Sequence, residues 1–173
     1  MNYCTVSYTA AWWNWERWQQ ELDYMAMNAI NMPLFSVGLD GVWYNTLLRF
    51  NFTEEEARAF LTGPGHSAWQ WMQNIQSYGG PLPKSVIDKH VALGKKILAR
   101  QLELGMQPIQ QGFSGYVPRE LQKKYPQAKI SMKRKWCGFD GTAQLDPTDP
   151  LFHEMGLALL EEQDKLFGSY GAY

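Results

Sequence analysis

The sequence is poor in the residues that build metal and disulfide sites. Its 173 residues include two cysteines, Cys4 and Cys137, and three histidines, His66, His90 and His153. Two cysteines are too few for a disulfide framework, and these two can pair only if the fold brings them within bonding reach. The histidines lack the spacing of zinc ligands. We therefore expect no metal and no cofactor, and the redox compartment stays open.

Excess charge of one sign and long apolar runs are also missing. The formal net charge is −1, without a long run of either sign, whereas a nucleic-acid binder is expected to carry a basic face. The chain has no apolar run near the roughly 18 residues of a membrane helix, and no basic and apolar leader follows Met1. The expected partners therefore exclude nucleic acid and membrane. A start cut from a longer protein would also lack a leader, so the compartment is not determined.

Aromatic residues are abundant. They make up 14% of the chain and include eight tryptophans, within a hydrophobic fraction of 45% that is enough for one packed domain over residues 1–173. Sugar rings present apolar C–H faces that stack on aromatic side chains, so carbohydrate is the ligand class that this composition favours. For any single tryptophan, a place in the core remains the more common alternative.

Apolar patterning predicts an α/β fold. The predicted strands are 3–8, 30–37, 106–113 and 170–173, and the predicted helices are 14–28, 42–50, 53–61, 85–104, 118–125 and 150–167. This alternation is typical of parallel strands joined by crossover helices. Four strands are half of a TIM-type (β/α) barrel, in which the site lies in the loops that follow the strands. Residues 129–132 and Trp136 are expected to lie in a long polar and aromatic excursion.

The acidic residues do not reveal a catalytic pair. Cleavage of a glycosidic bond usually needs two carboxylates that face each other across it. The acidic run 54–56 suits the first turn of a helix, and Glu161, Glu162 and Asp164 are typical of a solvated helix face. Asp40 follows the second predicted strand and could face a site, although a loop-shaping role is the more common one for such a residue. The residues therefore indicate the wall of a pocket without its acid and base.

Several motifs together resemble one family, the α-N-acetylglucosaminidases of glycoside hydrolase family 89. The matching segments follow one another along the whole chain with almost no gaps. They are Asn2-Tyr3-Cys4-Thr5, Trp12-Trp13-Asn14-Trp15-Glu16-Arg17-Trp18, Glu21-Leu22-Asp23-Tyr24-Met25-Ala26-Met27-Asn28, Thr62-Gly63-Pro64, Ala68-Trp69, Gly80-Pro81-Leu82-Pro83, Gly105-Met106, Val117-Pro118, Trp136 and Asp149-Pro150. The combination is specific, although no single segment would be.

The resemblance implies an exo-acting, retaining hydrolase that removes terminal α-linked N-acetylglucosamine (GlcNAc) from glycans. It also implies a parent protein in which a small α/β domain precedes the barrel and a helical domain follows it. Such a parent would be secreted, periplasmic or lysosomal. Both catalytic glutamates are expected beyond Tyr173. The chain alone is therefore expected to be inactive and to need the rest of the parent enzyme as its partner.

The resemblance also implies a sugar pocket. Its expected substrate-binding residues are Asn2, Cys4, Trp69, Met72 and Trp136. An Asn amide can hydrogen-bond hydroxyl or acetamide groups, tryptophan offers a ring face, and methionine fills an irregular wall. Cys4 is expected to be a wall residue and not a nucleophile. If parallel strands aim their following loops in one direction, these side chains should converge at one mouth.

The chain departs from the family pattern at a few positions. Gly38-Leu39-Asp40 stands where the family usually has Gly-Gln-Glu, Tyr116 stands at a usual His, and Gly65 stands at a usual Ala. These differences bear on sugar specificity and not on lineage. The alternative function is a non-catalytic carbohydrate-binding or self-assembling half-barrel, because open strand edges favour association into homo-oligomers.

Overall fold

Helices dominate the architecture. The computed structural model describes residues 3–173. The helices are α1 (Cys4–Ser7), α2 (Trp15–Met27), α3 (Leu39–Arg49), α4 (Glu54–Phe60), α5 (Ser67–Trp71), α6 (Lys84–Glu103), α7 (Leu121–Lys124) and α8 (Pro150–Phe167). The strands are β1 (Tyr116–Val117), β2 (Ile130–Met132) and β3 (Ala143–Leu145). No helix in the described part of the chain is long and apolar enough to cross a membrane.

Capping side chains fix where helices α2, α4 and α8 begin. Asn14 accepts a hydrogen bond from the main-chain N–H of Arg17 (3.0 Å), and Asp149 accepts one from Leu151 (2.9 Å). Thr53 and Glu56 form a reciprocal capping box at α4. Each of these bonds satisfies a donor that the first helical turn leaves free. The predicted helices at 14–28, 53–61 and 150–167 are confirmed.

An aromatic cluster forms the centre of the core. The buried Trp43 of α3 contacts the rings of Phe60, Phe113 and Tyr116, with centroids 5.6, 6.3 and 5.8 Å away. Helices α6 and α8 pack against α3 from its other sides. This core explains several tryptophan and phenylalanine residues without any ligand, as expected for single aromatic residues.

The first predicted strand is wrong. Residues Cys4–Ser7 form the short helix α1, with main-chain bonds from Val6 N to Tyr3 O (3.0 Å) and from Ala10 N to Thr5 O (2.9 Å). The β-branched Thr5 and Val6 favour a strand only where strand neighbours surround them. Here α1 packs against α5 instead, so tertiary contacts override the local preference.

None of the other predicted strands is formed as a strand in the described residues. Segments 30–37 and 106–113 do run side by side, but they share a single parallel bridge, Leu34 to Ile109. Four main-chain bonds connect this region: Gln107 N to Asn31 O (2.7 Å), Ile109 N to Pro33 O (3.0 Å), Phe35 N to Ile109 O (2.8 Å) and Gln110 N to Ala172 O (2.9 Å). Proline lacks an N–H, so Pro33 and Pro108 each remove a donor from the ladder.

The sheet that does form is antiparallel, and its strand β2 lies in the segment predicted as a polar and aromatic excursion. Its order is β1-β3-β2, so β3 is the central strand. Gln144 of β3 pairs with Tyr116 on one side and with Ser131 on the other. The prediction of four parallel strands with crossover helices therefore does not describe the observed strands.

Candidate functional site

Helix α1 is tied to α5 through one buried serine. Ser7 Oγ accepts a hydrogen bond from the main-chain N–H of Ala68 (2.9 Å) and lies 3.3 Å from Ser67 Oγ. The half-buried Cys4 begins α1, and the half-buried Trp69 lies in α5. The serine bridge therefore brings two of the predicted pocket residues onto neighbouring helices.

A buried glutamine holds α5 in place. Gln70 Oε1 accepts bonds from Thr62 N (2.8 Å) and Thr62 Oγ1 (3.0 Å), while its Nε2 donates to Phe60 O (2.9 Å). The amide is thus satisfied on both ends, as a buried polar group requires. Trp69, which lies between the buried Ala68 and Gln70, is half-buried, and Met72 follows at the end of the helix.

Trp136 lies at the tip of the hairpin between β2 and β3. The main-chain N–H of Trp136 donates to Phe139 O (3.1 Å), and the main-chain N–H of Phe139 donates to Trp136 O (2.8 Å). Cys137 and Gly138 between them have φ of 50° and 84°, the signature of a type I′ turn. The two flanking side chains lie on one face, with ring planes 22° apart and centroids separated by 6.1 Å.

The hairpin is anchored to the loop after α5. The buried Thr142 donates from Oγ1 to Gln73 O (2.8 Å), and Arg119 Nε donates to Gly141 O (2.8 Å). Lys133 Nζ donates to Gln73 Oε1 (3.3 Å), and partial burial lowers the pKa of that lysine. These bonds fix the tip that carries Trp136 next to α5.

The structure brings part of the predicted pocket together. The rings of Trp69 and Trp136 are in contact, with centroids 6.5 Å apart and planes inclined by 37°. Met72 caps the helix that carries Trp69, and Cys4 begins the helix packed against it. Asn2 lies outside the described residues. Four of the predicted residues therefore sit on adjoining elements, and two of them touch.

Both cysteines have free thiols. Cys4 is half-buried in α1, whereas Cys137 is exposed in the hairpin turn. The sequence left open whether the two pair, and the structure shows them unpaired.

The aromatic surface extends beyond the residues that sequence reasoning identified. The edge of Tyr8 contacts Trp69 (5.3 Å, 84°), and the ring of Phe139 contacts Tyr78 (4.6 Å, 85°). His66 completes the set, with its ring 6.1 Å from that of Tyr78. We call these residues the aromatic strip: Tyr8, Trp69, Trp136, Phe139, Tyr78 and His66. The high aromatic content was the only signal in the sequence, and it did not indicate which residues meet.

A separate cavity of about 90 Å³ lies between α1, α2, α6 and the loops that precede α3 and α5. Its wall includes Trp13 and Trp71 as well as the polar side chains of Asp40, His90 and Thr62. None of Cys4, Trp69, Met72 and Trp136 lines it. This tryptophan-walled cavity and the predicted sugar pocket are therefore different places.

Asp40 has a structural partner in this cavity. Its Oδ2 lies 2.6 Å from His90 Nδ1, and its Oδ1 accepts from Gly41 N (3.1 Å). Burial favours a lower pKa for His90, but the hydrogen bond and the charge of Asp40 outweigh that effect, and the pKa of His90 is raised. Leu39, the other departure in this segment, is buried in the core.

Tyr116, the third departure, is also a core residue. Its hydroxyl donates to Ile75 O (2.8 Å) and accepts from Gln70 Nε2 (3.4 Å). Desolvation raises the pKa of this buried phenol well above its ordinary value. Tyr116 therefore helps to support α5, because Gln70 is the residue that holds this helix.

The acidic side chains are engaged mainly in ion pairs and caps. The pairs join Glu21 to Arg17, Asp23 and Glu103 to Arg100, Asp88 to Lys84, Glu56 to Lys124, Asp140 to Lys135, and Glu161 and Glu162 to Arg49. Within residues 3–173, no three His, Cys, Asp or Glu side chains form a group able to hold a metal ion. The site described so far offers stacking surfaces and hydrogen bonds.

Comparison with known proteins defines the class first. All 173 residues match the family model described as the "Alpha-N-acetylglucosaminidase (NAGLU) tim-barrel domain". The sequence is therefore that of a glycosidase barrel domain. It belongs to the α-N-acetylglucosaminidase family, as its motifs led us to expect.

Individual relatives agree with this assignment. The chain is 36% identical to human α-N-acetylglucosaminidase over 178 aligned residues, which cover 99% of this chain and 24% of that protein. It superposes with a TM-score of 0.93 on a family 89 glycoside hydrolase from Clostridium perfringens bound to 2-acetamido-1,2-dideoxynojirmycin, at 35% identity. A doubly substituted form of the bacterial enzyme, in complex with its substrate GlcNAc-α-1,4-galactose, superposes with a TM-score of 0.92.

The chain corresponds to a small part of each of these relatives. The superpositions cover 98% of this chain and 20% of the bacterial chains. It thus spans about a fifth to a quarter of the proteins that it resembles.

Proposed function

We propose that this chain forms one wall of the sugar pocket of an exo-acting, retaining α-N-acetylglucosaminidase, whose substrates are glycans that end in α-linked GlcNAc. The observation that carries the proposal is the contact between Trp69 and Trp136, two half-buried rings from separate elements. Rings that meet at a surface offer apolar faces to a sugar, and neighbouring polar groups can orient it.

Two other proposed pocket residues belong to helices that adjoin this contact. Cys4 and Met72 belong to the ends of α1 and α5, the helices joined by Ser7. Asn2, which precedes α1 in sequence, would supply an amide for the hydroxyl or acetamide groups of the sugar. The bacterial relative with a TM-score of 0.92 is an enzyme whose substrate is GlcNAc-α-1,4-galactose, which supports this ligand class.

The proposal assigns catalysis to residues outside this chain. Retaining hydrolysis needs a nucleophilic carboxylate and a second carboxyl group that transfers a proton. The acids in the described region are engaged mainly in caps and ion pairs, and Asp40 is held by His90. We therefore propose that the isolated chain binds GlcNAc but does not hydrolyse its glycosides, and that the rest of the parent enzyme supplies both glutamates.

The finer fold assignment belongs to the same proposal. Segments 31–35, 107–110 and 168–172 lie next to one another in that order, joined by hydrogen bonds from Phe35, Ile109 and Gln110. We propose that they are successive parallel strands of a half-barrel, which lengthen when the remaining strands of the parent close it. The family match to a TIM-barrel domain supports this assignment.

Two measurements on the purified 173-residue chain test the proposal. Titration with GlcNAc, followed by calorimetry, is expected to show saturable binding that Trp69→Ala or Trp136→Ala weakens by about tenfold or more. An aryl α-N-acetylglucosaminide is expected to remain uncleaved. Tyr24→Ala is the matched control, because Tyr24 is an exposed aromatic residue of α2 outside the aromatic strip.

The two measurements separate the parts of the proposal. Release of GlcNAc by the isolated chain would refute the assignment of both catalytic carboxylates to other residues. Absence of GlcNAc binding, or equal binding by Trp69→Ala and wild type, would refute the assignment of the pocket wall.

A further inference from the structure

The residue that follows the end of α5 has a backbone conformation that favours glycine. Gln73 comes directly after Met72, the C-cap of the helix, and its φ of 65° lies in the left-handed region. Gln73 N donates to Gln70 O (2.8 Å), and Asn74 N donates to Trp69 O (2.9 Å). These two bonds form a Schellman motif, whose left-handed position is usually glycine because a Cβ is strained there. Glycine would therefore fit this backbone better than glutamine does.

The Gln73 side chain makes contacts that glycine could not make. Its Nε2 donates to Ser114 Oγ in the loop that precedes β1. Its Oε1 accepts from Lys133 Nζ (3.3 Å) on one arm of the hairpin that carries Trp136. The main-chain O of Gln73 accepts from Thr142 Oγ1 (2.8 Å) on the other arm of this hairpin. Gln73 is therefore bonded to three segments that are distant from α5 in sequence.

Lys133 and Thr142 form one rung of the hairpin. Lys133 N donates to Thr142 O (2.8 Å), so the two residues lie opposite each other where β2 ends and β3 is about to begin. The tip that carries Trp136 projects beyond this rung. Because Gln73 is bonded to both members of the rung, it fixes the direction in which the tip leaves the sheet. The Schellman motif also joins Gln73 to the last turn of α5, where Trp69 contacts Trp136.

We propose that Gln73 is a positioning residue of the sugar pocket, which holds the ring of Trp136 against that of Trp69 without itself touching the sugar. This inference rests on the function proposed above and adds the residue on which the placement of the two rings depends. A strained backbone conformation persists only where surrounding contacts over-determine it, and the bonds of Gln73 to the hairpin and to Ser114 are such contacts. A ring displaced by about 1 Å loses part of its stacking, so removal of this side chain should lower sugar affinity more than stability.

Gln73→Gly tests the inference, because it removes the side chain and keeps the left-handed backbone. Titration of the 173-residue chain with GlcNAc by calorimetry is expected to give a dissociation constant about five times that of wild type. The melting temperature is expected to stay within about 3 °C of wild type, because relief of backbone strain offsets the lost hydrogen bonds. A merely structural role would instead lower the melting temperature and leave the affinity of the folded chain unchanged.

Ala29→Gly is the matched control. Ala29 occupies the same left-handed position after α2, with φ of 59°, and the same two bonds close that helix, from Ala29 N to Ala26 O (3.2 Å) and from Ile30 N to Met25 O (2.9 Å). The exposed methyl group of Ala29 cannot form a hydrogen bond. This variant should therefore keep the wild-type affinity, and a loss equal to that of Gln73→Gly would overturn the inference.

Gln73→Glu tests the hydrogen bonds themselves. Glutamate has the same reach and can accept from Lys133 Nζ and from the Ser114 hydroxyl, so its affinity for GlcNAc is expected within about twofold of wild type. Lys133→Met should cause no further loss in the Gln73→Gly background, because the partner of Lys133 is already absent there. Binding by Gln73→Glu as weak as that of Gln73→Gly would contradict the role of these bonds.

Fluorine NMR of the chain labelled with fluorotryptophan separates this inference from the proposed function. Trp69→Phe and Trp136→Phe assign the two resonances, which Gln73→Gly should shift in the absence of sugar and Ala29→Gly should not. If wild type and Gln73→Gly bind GlcNAc equally, the inference is wrong and the proposed function stands. If wild type binds no GlcNAc, the proposed function is wrong, and unshifted resonances in Gln73→Gly would show that Gln73 does not position the rings either.

Discussion

His90 reaches from α6 to Asp40 in the first turn of α3, with its Nδ1 2.6 Å from the Oδ2 of that residue. Asp40 is buried, so the interaction is screened from water on the carboxylate side. The contact joins two of the helices that pack around the core, and it gives the stability of the chain a dependence on pH.

The free energy of unfolding should respond to the protonation of His90. Because the pKa of His90 is raised in the folded state, its contribution is fully present below the unfolded value near 6.5 and is lost as pH rises through the folded value. Urea unfolding at about pH 5.5 and about pH 8.5 should therefore show a larger deficit for His90→Gln at the lower pH.

His153→Gln serves as the control for this measurement, because His153 is an exposed residue of α8. Its unfolding free energy should follow that of wild type at both pH values. A deficit in His90→Gln that is the same at both pH values would contradict the role assigned to the pair.

Gly94 allows α6 to pack closely against the segment that precedes α3. A Cβ at this position would meet Val37 O at 2.5 Å and a ring carbon of Phe167 at 3.1 Å. Gly94→Ala should therefore destabilise the fold by about 1–3 kcal/mol, although alanine normally favours a helix over glycine. Thermal and urea unfolding measure the change.

Gly65→Ala is the matched comparison. A Cβ there meets nothing within 4 Å, and Gly65 is not among the residues with positive φ. We expect this variant to be neutral or more stable by up to about 1 kcal/mol, because alanine restricts the unfolded chain. Equal losses at the two glycines would contradict the packing argument.

The Tyr116 hydroxyl should contribute to stability through Ile75. Tyr116→Phe leaves the Ile75 carbonyl without the donor at 2.8 Å, which we expect to cost about 1–2 kcal/mol. Tyr24→Phe, which removes a hydroxyl from an exposed ring, should change stability by less than about 0.5 kcal/mol. Urea unfolding of both variants tests the difference, and a loss no larger than that of the control would show that the buried bond is unimportant.

The two thiols should differ in accessibility. Cys137 is exposed in the hairpin turn and should be alkylated before the half-buried Cys4. If GlcNAc occupies the proposed pocket, it should slow the alkylation of Cys4 and leave Cys137 largely unaffected. Mass spectrometry of peptides after timed alkylation follows each site. Protection of neither thiol, or equal protection of both, would contradict the placement of Cys4 in the wall.

Helix positions were predictable because their signals are local. Asn14, Thr53 and Asp149 cap their helices through bonds to residues two or three positions ahead, so the sequence alone shows them. The strand prediction at 3–8 failed because α1 takes its conformation in contact with α5, far away in sequence. Strands β1, β2 and β3 are two or three residues long, too short for an alternating pattern to mark them.

The candidate site was only partly accessible from the sequence. Family resemblance identified Trp69 and Trp136, and the structure brings their rings together. It did not identify Phe139, Tyr78 or His66. These residues come from three separate loops, and their contacts depend on how those loops fold against one another. No spacing of residues along the sequence indicates which of these rings meet.

The short segment 107–110 is bonded to chain on both of its flanks. Gln107 N and Ile109 N donate to Asn31 and Pro33, while Gln110 N donates to Ala172. Each of these bonds joins residues that are far apart in sequence, so forming it costs the entropy of closing a long loop. We therefore expect this seam to close late in folding, after the helices on either side have formed.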